Sequence, residues 1–411
     1  MRNVNVMGVV CRVAALCLFC LSELASSAPM QEMPKSHDRK MSSKADLGTS
    51  AAVDGQGNLW MASKETTGSG QQYVTLQVSQ DMGKTWSNPT RIQREPEPIA
   101  ADGENRPKLV LGKKGQIYVA YTMTLAKPYT GAIRFVRSLD GGRTFSQPIT
   151  VHANRDEITH RFESMVVDKD DRIYIAWIDK RDVEAANARK EKYVGAALYY
   201  ATSEDQGATF KGDYKIADHS CECCRIALTV NADGKPIAFW RHIFEPNARD
   251  HALIELTPDG NLPPLVRATF DDWRVDACPH HGPSIAYAPD GTRHQTWFNV
   301  KNDEGSVFYA SANSNGVLSK PMKLGSAQAQ HADVAVQGNK VAVVWKQFDG
   351  KVTAILAKVS NDGGLTWQDK SLASTLGDSD QPHLTTGPLG NVLVWRTKNE
   401  GVRTLLVDGR S

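Results

Sequence analysis

SQDMGKTW (79–86), SLDGGRTF (138–145), SEDQGATF (203–210) and SNDGGLTW (360–367) are four copies of one pattern, Ser-x-Asp-x-Gly-x-Thr-aromatic. The residue types specify a turn that closes on itself. Asp and Ser or Thr side chains can bond the backbone two to four residues away, and Gly tolerates positive φ. The terminal aromatic is then free to enter an apolar layer. LTPDGNL near Asp259 and SANSNGV near Asn313 read as degraded copies.

A second pattern keeps pace with the first. Short apolar strands end in an aromatic at Tyr121 (IYVAY), Trp177 (IYIAW), Trp240 (PIAFW), Trp297 (RHQTW), Trp345 (VAVVW) and Trp395 (NVLVW), with NLWMA to Ala62 as a degraded first copy. The spacing runs from 48 residues (Trp297 to Trp345) to 63 (Trp177 to Trp240). Alternating apolar strands behind Gly/Asp turns, repeated at this period, indicate radially repeated antiparallel sheets.

The turn pattern is similar to the Asp-box, or BNR, repeat of sialidase-like β-propellers, over roughly residues 45–411. The resemblance implies an all-β propeller of four-stranded blades. Seven units are counted, with six as the alternative because sialidases of this family have six. The seventh unit, from Gln381, is short of its last strand, which the segment before Leu47 is expected to supply.

Outside the repeats, residues 1–27 read as an export signal, with Arg2 and Arg12 around the apolar run VVCRVAALCLFCL and small residues after it. Residues 28–45 form a flexible segment with Met30, Met33, His37 and Met41, and 46–411 form the propeller. A periplasmic or secreted protein without a stable membrane span is expected, and a monomer. The formal net charge of +2 gives no sign of a nucleic-acid partner.

Removal of the signal leaves Cys221, Cys223, Cys224 and Cys278. In a propeller, the starts of the innermost strands ring one axial mouth. Counting back from the turns places those starts near Gly48, Arg106, Arg161, Arg225, His281 or Gly282, Gln330 or His331, and Gln381. HSCECC (219–224) and CPHH (278–281) then lie on neighbouring connectors. Two readings follow. Cys278 paired with one of the trio would staple two blades, and removal of one such loop-closing bond typically costs a few kcal/mol. Alternatively His219, Cys221, Cys223, Cys224, Cys278, His280 and His281 supply thiolate and imidazole ligands for a transition metal, copper ahead of zinc.

Arg106, Arg161 and Arg225 open three successive inner strands, with Glu163 two residues beyond Arg161. Either they bond neighbouring backbone carbonyls and aspartates, or they bind an anionic small molecule or glycan. The resemblance implies three axial arginines holding a sugar carboxylate, a Tyr nucleophile paired with Glu, and an Asp acid/base. The sequence departs from that pattern. An early Arg-Ile-Pro is missing, LGTS stands at the first entrance, and none of Tyr121, Tyr129 and Tyr193 stands out as nucleophile. Three functions are therefore expected in turn: metal binding at the axial face, exo-glycosidase action of sialidase type on an anionic sugar, and a non-catalytic disulfide-stapled scaffold.

Overall fold

The computed structural model describes residues 46–275, 279–301 and 304–408. The expected signal, the Met/His segment, the closing strand before Leu47 and Cys278 all lie outside the described residues. No helix among the described residues is long and apolar enough to cross a membrane.

Seven antiparallel sheets span residues 49–91, 108–150, 160–220, 227–267, 284–324, 329–375 and 383–406. Six have four strands and the seventh has three among the described residues; within each, neighbours in the sheet are neighbours in the chain. The first strand of each sheet packs against the first strands on either side, and Thr49–Val53 meets His383–Gly387 to close the ring. The molecule is a seven-bladed β-propeller.

The buried side chains divide by blade interface. Blades 2 and 3 share Tyr118, Phe135, Ile173 and Trp177, and blades 6 and 7 share Val344, Ile355, Leu393 and Trp395. The interface of blades 4 and 5 is poor by comparison, its fully buried apolar residues being Ile237, Phe239, Ala268 and Ile285. Trp86, Phe145, Phe210 and Trp367, the last residues of the four turns, pack into the layers between their own blade and the preceding one.

The turns close as their residue types require. Asp81 Oδ1 accepts the Thr85 N–H at 2.8 Å and Asp81 Oδ2 the Thr85 hydroxyl at 2.6 Å, while Ser79 Oγ accepts the Gly83 N–H at 2.7 Å. The same bonds recur at Asp140, Asp205 and Asp362. Gly83, Gly142, Gly207 and Gly364 all have positive φ. The Thr85 hydroxyl and backbone N–H hold the Asp81 carboxyl at about 2, and Thr366 holds Asp362 there likewise.

The charged stretch 179–193 contains a helix, Arg181–Ala188. Asp179 Oδ1 accepts the Arg181 N–H, Asp182 and Glu184 sit in the first turn where the helix dipole favours acids, and Ala186 is buried. His152 and His294 are 1 % and 0 % exposed. His152 Nε2 accepts the Ile133 N–H, and His294 Nδ1 lies 2.7 Å from the Tyr309 hydroxyl.

Candidate functional site

The starts of the inner strands converge on a polar network at the axial mouth. Glu104, 5 % exposed, lies at its centre. Its Oε1 meets His331 Nδ1 at 3.1 Å and the Gln381 amide at 3.0 Å, and its Oε2 accepts the Arg225 N–H at 3.2 Å. Burial opposes its ionisation, yet Arg225, His331 and Arg106 hold it well below the usual carboxylate range.

Two of the three entrance arginines are committed to the frame. Arg106 donates to Asp380 at 2.8 Å, to the Thr49 carbonyl at 2.9 Å, to the Gly103 carbonyl and to Gln381. Arg225 donates to the carbonyls of Pro283 at 2.9 Å and Ala332 at 2.8 Å. Gly282 is required beside it, because a Cβ there would collide with the Arg225 side chain and backbone. These two arginines do what propeller-axis arginines must to join blades, and their donors are used.

Arg161 differs. Its guanidinium lies 5.1 Å from the Phe162 ring, and its Nε is buried without a hydrogen-bond partner. Glu163 is 1 % exposed; its Oε2 accepts the Thr122 hydroxyl at 2.6 Å, and its Oε1 has no partner. Burial pushes its carboxyl upward against the pull of Lys108. Sequence reasoning passed over Lys108, Glu104 and Asn105, although ENRPK (104–108) is a charged entrance like the others.

Backbone strain gathers on this face. Phe162, His219, His280 and His331 all have φ between 50° and 59°, where a residue with a Cβ is seldom found.

Cys221, Cys223 and Cys224 come together. Their sulfurs lie within 4.8 Å of one another, all three residues are buried, and no histidine or carboxylate of the described residues joins the group. Cys221 and Cys224 are free thiols with sulfurs 3.2 Å apart, whereas Cys223 is already engaged. The Cys221 N–H donates to the carbonyl of Arg241, a fully buried arginine whose guanidinium donates to the carbonyls of Arg249, His281 and Phe298 and lies over the Trp273 ring. The hydrogen bond from Cys224, then Arg241 and Arg249, lower the Cys221 pKa against burial, and Cys224 moves upward. Arg241 and Arg249 lie on a strand and loop beyond the motif, so its spacing gave no sign of them.

The expected histidine ligands stand apart from the sulfur group. His219 Nδ1 contacts the Val194 carbonyl at 3.0 Å and its ring lies against Tyr193. His281 stacks on Phe298 at 4.0 Å and meets His331 at 4.4 Å. His280 is exposed and already has an interaction. Of the tyrosines, Tyr121 donates to Glu97 at 2.6 Å and Tyr193 to Asp218 at 2.8 Å, with burial pushing both pKa values up rather than toward a nucleophile. Tyr129 stands 75 % exposed on the loop of blade 2 at this face.

No protein-family model matches the sequence, and no curated protein matches it. Solved structures do share the fold. The polysaccharide lyase Uly1 superposes with a TM-score of 0.57 at 9 % identity, covering 89 % of this chain and 91 % of its own. An ulvan lyase of polysaccharide lyase family PL25, bound to -[GlcA(1-4)Rha3S]-, gives 0.50 at 11 % identity, covering 89 % and 94 %. The Hadza microbial sialidase Hz136 gives 0.46 at 16 % identity over 85 % of this chain and 62 % of that one. At these identities the likeness is one of fold, a β-propeller.

Proposed function

We propose that this is an exported copper-binding propeller whose metal is held by the Cys221 and Cys224 thiolates. The observation that supports the reading is the packing of three buried sulfurs within 4.8 Å, with no carboxylate among them. A soft, dry, sulfur-only donor set suits Cu(I) before Zn(II), which more often takes a fourth ligand of nitrogen or sulfur in tetrahedral geometry. The Cys223 sulfur lies in the same group. In this reading it pairs with Cys278 in the resting protein, stapling blades 4 and 5, and becomes a third ligand only on reduction. Residues 1–27 would deliver the protein to the periplasm or exterior, where Met30, Met33 and Met41 could pass copper inward.

The test is copper loading under mild reduction, followed by elemental analysis and thiol counting. About one copper per chain is expected in the parent protein and none in Cys221→Ser/Cys224→Ser. Retention of copper by that double variant, or no copper in the parent, overturns the reading.

An acidic glycan at the axial mouth is the second reading. The observation favouring it is that Arg161 carries charge there without a hydrogen-bonded acid, its Nε buried and unpartnered. That a propeller of similar fold binds a glucuronate-containing glycan makes such polymers the first ligands to try. Binding of an acidic oligosaccharide that weakens at least tenfold in Arg161→Ala supports it, and equal binding by the two proteins removes it.

A further inference from the structure

Lys108 opens the inner strand of blade 2, Lys108–Leu111, and its ammonium makes no hydrogen bond or ion pair among the described residues. The register places it opposite Ala120, two residues before Thr122 on the adjoining strand. Thr122 reaches in turn toward blade 3. Its hydroxyl oxygen lies 2.6 Å from Glu163 Oε2 and 3.0 Å from Asn105 Oδ1.

That hydroxyl has one proton and faces two oxygens. The orientation of Asn105 is fixed, because its Oδ1 also accepts the Phe162 N–H at 3.1 Å. Both contacts become hydrogen bonds if Glu163 carries the missing proton and donates it to Thr122. The other Glu163 oxygen, Asn105 Nδ2 and Arg161 Nε are all buried without partners. Buried polar atoms are paired in the great majority of cases, so three orphans beside an unpaired lysine mark a place where a ligand completes the set. None of them touches the cysteine group.

Burial favours the neutral form of the amine. Burial lowers the Lys108 pKa first, and Arg106 and Arg225 lower it further, against Glu163 and Glu104. Desolvation and neighbouring cations are the two means by which lysines become nucleophiles at neutral pH. The residue as a whole is only partly covered.

We propose that Lys108 condenses with the carbonyl group of a small 2-oxo acid, whose carboxylate is taken by the unused donors of Arg161 and Asn105. The neutral Nζ adds to the carbonyl carbon, forming a C–N bond, while the carbonyl oxygen takes the Glu163 proton. Glu163 recovers a proton from Nζ. The carbinolamine then loses its oxygen as water, which carries off overall the two amine hydrogens and leaves a neutral imine. No oxidant or reductant enters the condensation. The site is separate from the copper site and does not depend on the glycan reading.

Glyoxylate is the probe, with cyanoborohydride to trap the imine and peptide mapping to locate it. The full chain is expected to carry one reduced adduct, on Lys108, formed at least tenfold faster than on exposed lysines such as Lys84 and Lys113. Glu163→Gln should slow trapping at Lys108 by tenfold or more while leaving the exposed lysines unchanged. Acetaldehyde, which lacks the carboxylate, should label Lys108 at least tenfold more slowly than glyoxylate. Lys108→Arg, checked for native melting, should abolish the fast adduct. Adducts spread evenly over the exposed lysines overturn the proposal. Equal labelling of Lys108 by the two aldehydes overturns the assignment of a 2-oxo acid.

Discussion

The four Ser-x-Asp turns and the axial mouth solve the same problem, satisfying polar groups on a β-propeller, in opposite ways. In each turn the bonds join residues two to four apart, and none of the turns' Ser, Asp or Thr side chains is left without a partner. At the mouth the partners lie far apart in the chain: Glu104 and His331 are separated by 227 residues, Arg106 and Asp380 by 274, and Asp380 and Thr49 by 331. There, several buried polar atoms are also left over. The local solution builds the scaffold. The distant one joins the blades and leaves unused bonding capacity, which is what a ligand site needs.

The largest expected effect comes from breaking the distant solution where it is complete. Arg106 and Asp380 are 8 % and 3 % exposed in their side chains. Arg106→Ala strands a buried aspartate and removes the donors to Thr49 and Gln381 as well. Loss of one partner of a buried pair costs about 3–5 kcal/mol. Urea titration should show that loss, and a midpoint close to the parent's would mean that the ring does not depend on this tie.

The same contrast explains what the sequence could reveal. The Ser-x-Asp turns are legible because cause and partner lie within eight letters. The aromatic-ended strands are legible because Trp177, Trp240 and Trp395 recur with the period of the fold. The entrances were also placed within about two residues, since strand length is regular: Arg106 precedes Lys108–Leu111 and Arg225 precedes Ala227–Val230. The fate of each entrance side chain was not legible. Nothing local distinguishes Arg225, consumed by carbonyls of blades 5 and 6, from Arg161, which is not. The cysteines show the same limit. Their convergence follows from the CECC spacing, but the separation of His219 and His281 from them depends on Tyr193, Phe298 and His331, far away in the sequence.

A smaller effect is expected from acid, through histidines outside both regions. Burial pushes His152 to about 3 and His294 to about 4, from an ordinary 6.5. The folded chain then binds fewer protons than the unfolded one, so this contribution is complete above pH 6.5 and is lost as pH falls toward those folded values. At pH 5 the difference is about 2 kcal/mol for each histidine. The Asp81 and Asp362 carboxylates, held near 2, keep their charge over that interval. Stability should therefore fall between pH 6.5 and 5, and His152→Gln should flatten part of that slope. A slope confined to pH below 4 would assign acid sensitivity to the turns instead.

The smallest effect is the most informative about the mouth. If Lys108 belonged to the load-carrying network, its removal would resemble the loss of Arg106. Its ammonium has no hydrogen-bonded acid, and burial with two nearby arginines disfavours the charged form. An unpaired charge in such a place is a net cost. Lys108→Met keeps the length of the side chain and removes the charge, so a gain on the order of 1 kcal/mol at pH 7 is expected. The gain shrinks with rising pH in a defined way. A lysine with a lowered folded pKa sheds its proton before the unfolded chain does, so the parent's penalty fades as pH rises toward 10.5. The two proteins should converge in alkali and diverge at neutrality. A variant less stable than the parent at pH 7 would place Lys108 among the structural ties and remove the distinction between used and unused charge on which the axial site rests.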